Sequence, residues 1–75
     1  MPAGTRIANL VQKLDSLDFD EGVRVESRGK KMFVNRSPSG AFIVQSGDTF
    51  HYIGTAGQVA RLVKTTFNSY SAWAY

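Results

Sequence analysis

Five basic residues fall within thirteen positions, Arg24, Arg28, Lys30, Lys31 and Arg36, and Glu26 is the only acid among them. A run of this kind suits phosphate, because lysine and arginine neutralise it and hold it by charge. Phe33 lies inside the run and offers a ring on which a base can stack. The same run also suits a solvated hairpin edge, since lysine and arginine guard exposed strands. Just before it stands an acidic block, Asp15, Asp18, Asp20 and Glu21, with no base among them. Acids at a helix C-terminus oppose the helix dipole, so this block reads as ordinary solvated surface or as a contact for a basic partner.

Catalytic chemistry is hard to assemble from this sequence. There is no cysteine and one histidine, His51, so thiolate nucleophiles, disulfides and His-pair metal sites are excluded within one chain. His51 sits between Phe50 and Tyr52 in a strand-like stretch and reads as a structural residue. No G-x-S-x-G elbow occurs, and the four carboxylates lack the spacing of a calcium loop. Gly54-Thr55-Ala56-Gly57 opens a helical pattern, yet it lacks the lysine of a phosphate-binding loop and reads as a cap. The expectation is a binding domain that is not an enzyme, with no catalytic residue, cofactor or metal. Its net charge of +3 and pI near 9.6 favour an acidic partner.

A single small α+β domain spanning 1–75 must position these residues, because 75 residues leave no room for a second. Ile7, Leu10, Val11, Leu14 and Leu17 share one helical face, with Thr5 as N-cap and an end near Leu17 or Asp18. From Gly22 the period drops to two. Turn signals at Ser27–Lys30, Ser37–Gly40 and Ser46–Thr49 divide four strands into an antiparallel meander. Thr55 and Gln58 form a capping box, and Val59, Leu62, Val63, Thr66, Phe67 and Tyr70 follow at helical spacing. The expected order is helix, four strands, helix (αββββα). The tail from Ser71 to Tyr75 either extends the last helix or lies across the sheet.

Register follows from the turns. A two-residue loop at Arg28-Gly29 pairs Val25 with Met32, Val23 with Val34, Arg24 with Phe33 and Glu26 with Lys31. A loop at Gly47-Asp48 pairs Ile43 with Tyr52 and Phe42 with Ile53. A three-residue loop at Ser37-Pro38-Ser39 aligns Val34 with Phe42. One face is then an apolar core. The other carries Arg24, Glu26 and Lys31 beside Phe33, Ile43, Phe50 and Tyr52. An apolar patch that large is normally occupied. Three occupants fit: one helix on each face, a second copy of the chain, or a ligand whose bases stack on the rings.

The leading expectation is nucleic acid, DNA or RNA, held by Arg24, Arg28, Lys30, Lys31 and Arg36 with stacking on Phe33. The alternative is a protein-interaction module, an inhibitor or accessory subunit, with Ile43, Phe50, Tyr52, Tyr70 and Trp73 as interface candidates and a homodimer among its forms. Tyrosine and tryptophan are frequent interface anchors. The strands that lead into Gly54-Thr55 and an amphipathic helix distantly resemble the plant DNA-binding modules in which a three-stranded sheet reads the major groove and a helix backs it. The resemblance covers about residues 22–70. It implies only that a basic meander with one backing helix can serve nucleic acid, and the arginine- and tryptophan-rich strands of those modules are absent. No apolar run approaches the ~20 residues of a membrane span, and Met1 to Arg6 lacks a signal-peptide core. A cytoplasmic setting without a membrane partner is therefore expected.

Overall fold

A computed structural model describes residues 5–19 and 21–74. Met1 to Gly4, Asp20 and Tyr75 lie outside the described residues. The chain is α+β. Its elements are β1 (Thr5–Arg6), α1 (Leu10–Asp15), β2 (Gly22–Ser27), β3 (Lys30–Arg36), β4 (Phe42–Ser46), β5 (Thr49–Ile53), α2 (Ala56–Thr66) and β6 (Ser71–Ala74). The strands form one antiparallel sheet in the order β1-β6-β2-β3-β4-β5. The four-strand meander of the sequence is β2 to β5. It is longer at one side than expected, because β6 pairs with the outer edge of β2 and β1 pairs with β6.

Turn chemistry sets the meander. Arg28 and Gly29 both take positive φ, 50° and 82°, as the two-residue loop of a type I′ hairpin requires. The pairing is the expected one, from Ser27 with Lys30 to Val23 with Val34. Gly47 at φ 60° closes the β4–β5 hairpin, and Gln45 faces Phe50 as expected. The middle hairpin differs. Its three-residue loop is Pro38-Ser39-Gly40, one position later than expected, because Ser37 N–H donates to the Ala41 carbonyl and Gly40, at φ 93°, donates to Ser37. Val34 therefore faces Val44 rather than Phe42. Moving the loop by one residue slides the pairing by two, so every side chain keeps its face.

Both helix starts are capped by polar side chains. Thr55 accepts from the Gln58 N–H at 3.2 Å, and its hydroxyl donates to Gln58 Oε1 at 3.1 Å. For α1 the cap is Asn9, which accepts from the Gln12 N–H at 3.1 Å. The expected cap, Thr5, lies instead in β1. Two residues on, Ile7 donates its N–H to the Ala72 carbonyl at 2.8 Å, which holds this stretch extended. Ile7 still reaches the core, so its helical spacing from Leu10 was misleading. The helix also ends earlier than expected, at Asp15, with Ser16 as C-cap. Helix α2 stops at Phe67, which is extended and donates back to Val63. Asn68 and Ser69 favour local turns over helix, and Ser27 donates its hydroxyl to the Ser69 carbonyl. Tyr70 thus lies past the helix, and the tail becomes β6.

One core holds the layers together. Val23, Val25, Met32, Val34, Phe42 and Val44 from the sheet meet Leu10 and Leu14 of α1 and Val59 and Val63 of α2 in a single buried cluster. All six sheet residues project from the same face. Both helices therefore cover that face, which overturns an arrangement with one helix on each side. The parity is testable at two adjacent residues. Phe42→Ala is expected to cost about 3–5 kcal/mol, whereas Ile43→Ala, on the opposite face, costs about 1 kcal/mol or less. Urea denaturation of the two variants reads this directly.

Candidate nucleic-acid interface

Sheet pairing places a row of six side chains across the face that the helices leave open. Arg6 pairs with Trp73, Trp73 with Arg24, Arg24 with Phe33, Phe33 with Gln45 and Gln45 with Phe50. Directly opposed residues of antiparallel strands share a face, so the row is continuous from β1 to β5. Rings stand on β6, β3 and β5, and hydrogen-bonding side chains stand on β2 and β4 between them. Neighbouring strands are about 4.8 Å apart, which spaces the rings by about 10 Å. A second row, Asn35, Ile43 and Tyr52, runs beside it. Phe50 is 57% exposed and Tyr52 77%. Trp73 and Phe33 are half-buried.

The charges on this face are Arg6, Arg24 and Lys31 against Glu26. Lys31 stands opposite Glu26 across the β2–β3 pair, as expected. Glu26 forms its ion pair along its own strand, with Arg24. Arg24 itself is paired across the strands with Trp73 on one side and Phe33 on the other. The two side chains are 22% and 36% accessible, while the Arg24 Nε that meets Glu26 is buried.

Strand alternation divides the basic run that the sequence presents as one. Arg24 and Lys31 belong to the open face, and Arg28 sits in the turn at its rim. Lys30 projects to the helix side, near the end of α2. Arg36 also lies on the helix side. It donates from Nη1 to the Leu14 carbonyl at 3.1 Å and its guanidinium lies 4.6 Å from the centre of the Phe42 ring. Arg36 is thus part of the packing, where it satisfies a carbonyl at the end of α1. Of the apolar candidates, Ile43, Phe50, Tyr52 and Trp73 come together on the open face. Tyr70 does not, because it packs against the core between β6 and the helices.

Arg6 is the residue that sequence reasoning missed. The hint was present in Thr5-Arg6-Ile7 and Ala72-Trp73-Ala74, two short alternations that only make sense as strands. The acidic block has a local use at one point: Glu21 accepts from the Asp18 N–H at 2.9 Å and its own N–H donates to the Asp18 carbonyl. Among the described residues no group of three or more His, Asp or Glu side chains is placed to hold a metal ion, and no helix is long and apolar enough to cross a membrane.

The fold and its face together define a one-sided α+β sandwich with an open antiparallel sheet. No family model, curated protein or solved structure matches the chain. The row itself therefore carries the functional reading.

Trp73 is the one tryptophan of the chain and stands between Arg6 and Arg24. Its emission should be quenched more strongly by iodide than by caesium, because the two guanidinium groups gather anions. Arg24→Gln should reduce that preference. Steady-state quenching of the wild type and the variant checks it.

Proposed function

We propose that this chain binds single-stranded nucleic acid across its open sheet face. The observation that carries the reading is the alternation of ring and hydrogen-bonding side chain along one row: Trp73, Arg24, Phe33, Gln45, Phe50. Bases stack on the rings, and stacking contributes ~1–3 kcal/mol per base. Arg6, Arg24 and Lys31 neutralise backbone phosphates, with Arg28 at the rim. Single strands suit this face better than a duplex, because stacking requires bases that are not already stacked. No step of bond making is involved. The chain acts as a binding module, and the target's backbone chemistry, DNA or RNA, is left to be distinguished by titration with each.

Fluorescence titration of Trp73 with a homopolymeric single strand and with its duplex tests the proposal. The single strand should bind more tightly. Its affinity should fall with salt at a log–log slope of about −2, from about −0.7 for each of the three cations on the face. Phe50→Ala should weaken binding about five- to 150-fold, from the ~1–3 kcal/mol per stacked base. Lys31→Glu should weaken it, and Lys30→Glu, on the helix side, should matter much less. Glu26→Gln should strengthen binding, since it releases Arg24 and removes the acid that the described residues place on the face. Absence of binding at low salt, or equal losses for Lys30→Glu and Lys31→Glu, would refute the open face as the site.

A further inference from the structure

The sheet ends in two unlike edges. At one side β1 is two residues long, Thr5–Arg6, and carries a charge. At the other, β5 offers five residues, Thr49-Phe50-His51-Tyr52-Ile53, with no lysine, arginine, aspartate, glutamate or proline. The first four of them are exposed. Natural sheets protect edge strands with charge, proline, bulges or extreme shortness. None of these devices occurs within β5, where the pairing with β4 is unbroken from Ser46–Thr49 to Phe42–Ile53.

The hairpin fixes which backbone groups of β5 face outward. In a two-residue hairpin the residues flanking the loop, Ser46 and Thr49, form a hydrogen-bonded pair. Pairs alternate along the ladder. His51 and Ile53 therefore point their N–H and C=O groups inward to β4, and Phe50 and Tyr52 point theirs out of the sheet. An antiparallel partner centred on His51 would place Phe50 opposite Tyr52 and Tyr52 opposite Phe50. Four backbone hydrogen bonds result, and each ring gains a ring across the strand. This register is self-complementary: all five residues pair, and the rings stay on the open face in both chains.

We infer that β5 is a self-association edge, and that two copies of this chain join there, antiparallel, about a two-fold axis at His51. A second copy suits this edge because its own Phe50 and Tyr52, the two residues whose backbone groups face outward, meet Tyr52 and Phe50 of the first copy ring against ring. Within this edge no lysine, arginine or carboxylate of one copy is set against its like in the other. The dimer would carry one continuous sheet in which the row ending at Phe50 of each copy runs on into the row of Tyr52, Ile43 and Asn35 of the other. The inference is independent of what the open face binds.

Cysteine cross-linking tests it in a chain that has no cysteine of its own. The two His51 residues would form a non-hydrogen-bonded pair with Cα atoms about 4.5 Å apart, within the span of a disulfide. Under mild oxidation His51→Cys should give a covalent dimer. Thr49→Cys and Ile53→Cys should each give no covalent dimer alone, yet cross-link to one another when mixed. Light scattering of the wild type should show a mass that doubles from 8.3 kDa as concentration rises. His51→Lys, which sets two ammonium groups face to face, should abolish the doubling while leaving the circular dichroism unchanged. A wild type that remains monomeric into the millimolar range overturns the inference. So does cross-linking at Thr49→Cys alone equal to that at His51→Cys, or preferential cross-linking of Ile43→Cys in the middle of the open face.

Discussion

Successive side chains of a β-strand point to opposite faces, and the molecule depends on the fact that both helices pack on the same one. Val23, Val25, Met32, Val34, Phe42 and Val44 go under the helices and are almost fully buried. The residues between them have no such cover. A chain of this length buries only ~60% of its unfolded surface, so it cannot enclose both faces of a six-stranded sheet with two helices of six and eleven residues. The open face is a consequence of size as much as of sequence. What the sequence decides is its composition, and there it places rings and cations where an ordinary open sheet carries small polar residues.

The outer strands are as necessary as the helices. β2 holds Val23 and Val25 in the centre of the core, and without β6 its outer edge would present unpaired backbone groups beside them. Such groups cost free energy when they are removed from water without a partner. Ser71–Ala74 supplies the partners, Ala72 closes the core, and Trp73 is delivered to the open face by the same alternation. One four-residue strand therefore completes the fold and the candidate site together. Ser27, by donating to the Ser69 carbonyl, fixes where the chain turns into that strand.

Local features were legible in the sequence and non-local ones were not. The hairpin registers could be read because Arg28-Gly29 and Gly47-Asp48 are turns whose backbone angles allow few alternatives. The loop at Pro38 was displaced by one residue because Gly40, not Ser39, takes the left-handed position. Parity survived, so the composition of each face was still correct in Phe33, Ile43, Phe50 and Tyr52. The α2 cap was legible in Thr55 and Gln58 for the same local reason. By contrast, no short-range signal states that Thr5-Arg6 pairs with Trp73-Ala74, nearly seventy residues away. The choice of face for each helix is likewise a property of packing across the whole chain. Arg36 shows the limit from the other direction: it belongs to a basic run in sequence but satisfies the Leu14 carbonyl in space.

The kind of recognition this face supports follows from its chemistry. Rings accept any base, because every base has a π-face. Discrimination needs donors and acceptors at base edges, and the row has three such positions, Arg6 at its end and Arg24 and Gln45 between rings. Arg24 is already engaged with Glu26, and its neighbours in the row are rings on both sides. A polymer crossing the strands would therefore be held mainly by stacking and charge, with any sequence preference confined to the bases beside β1, β2 and β4. Such binding gains more from length than from sequence, since each further ring and cation adds a comparable increment. Under the proposed function, affinity would depend on the breadth of the sheet, which β6 and β1 extend at one side and β5 at the other.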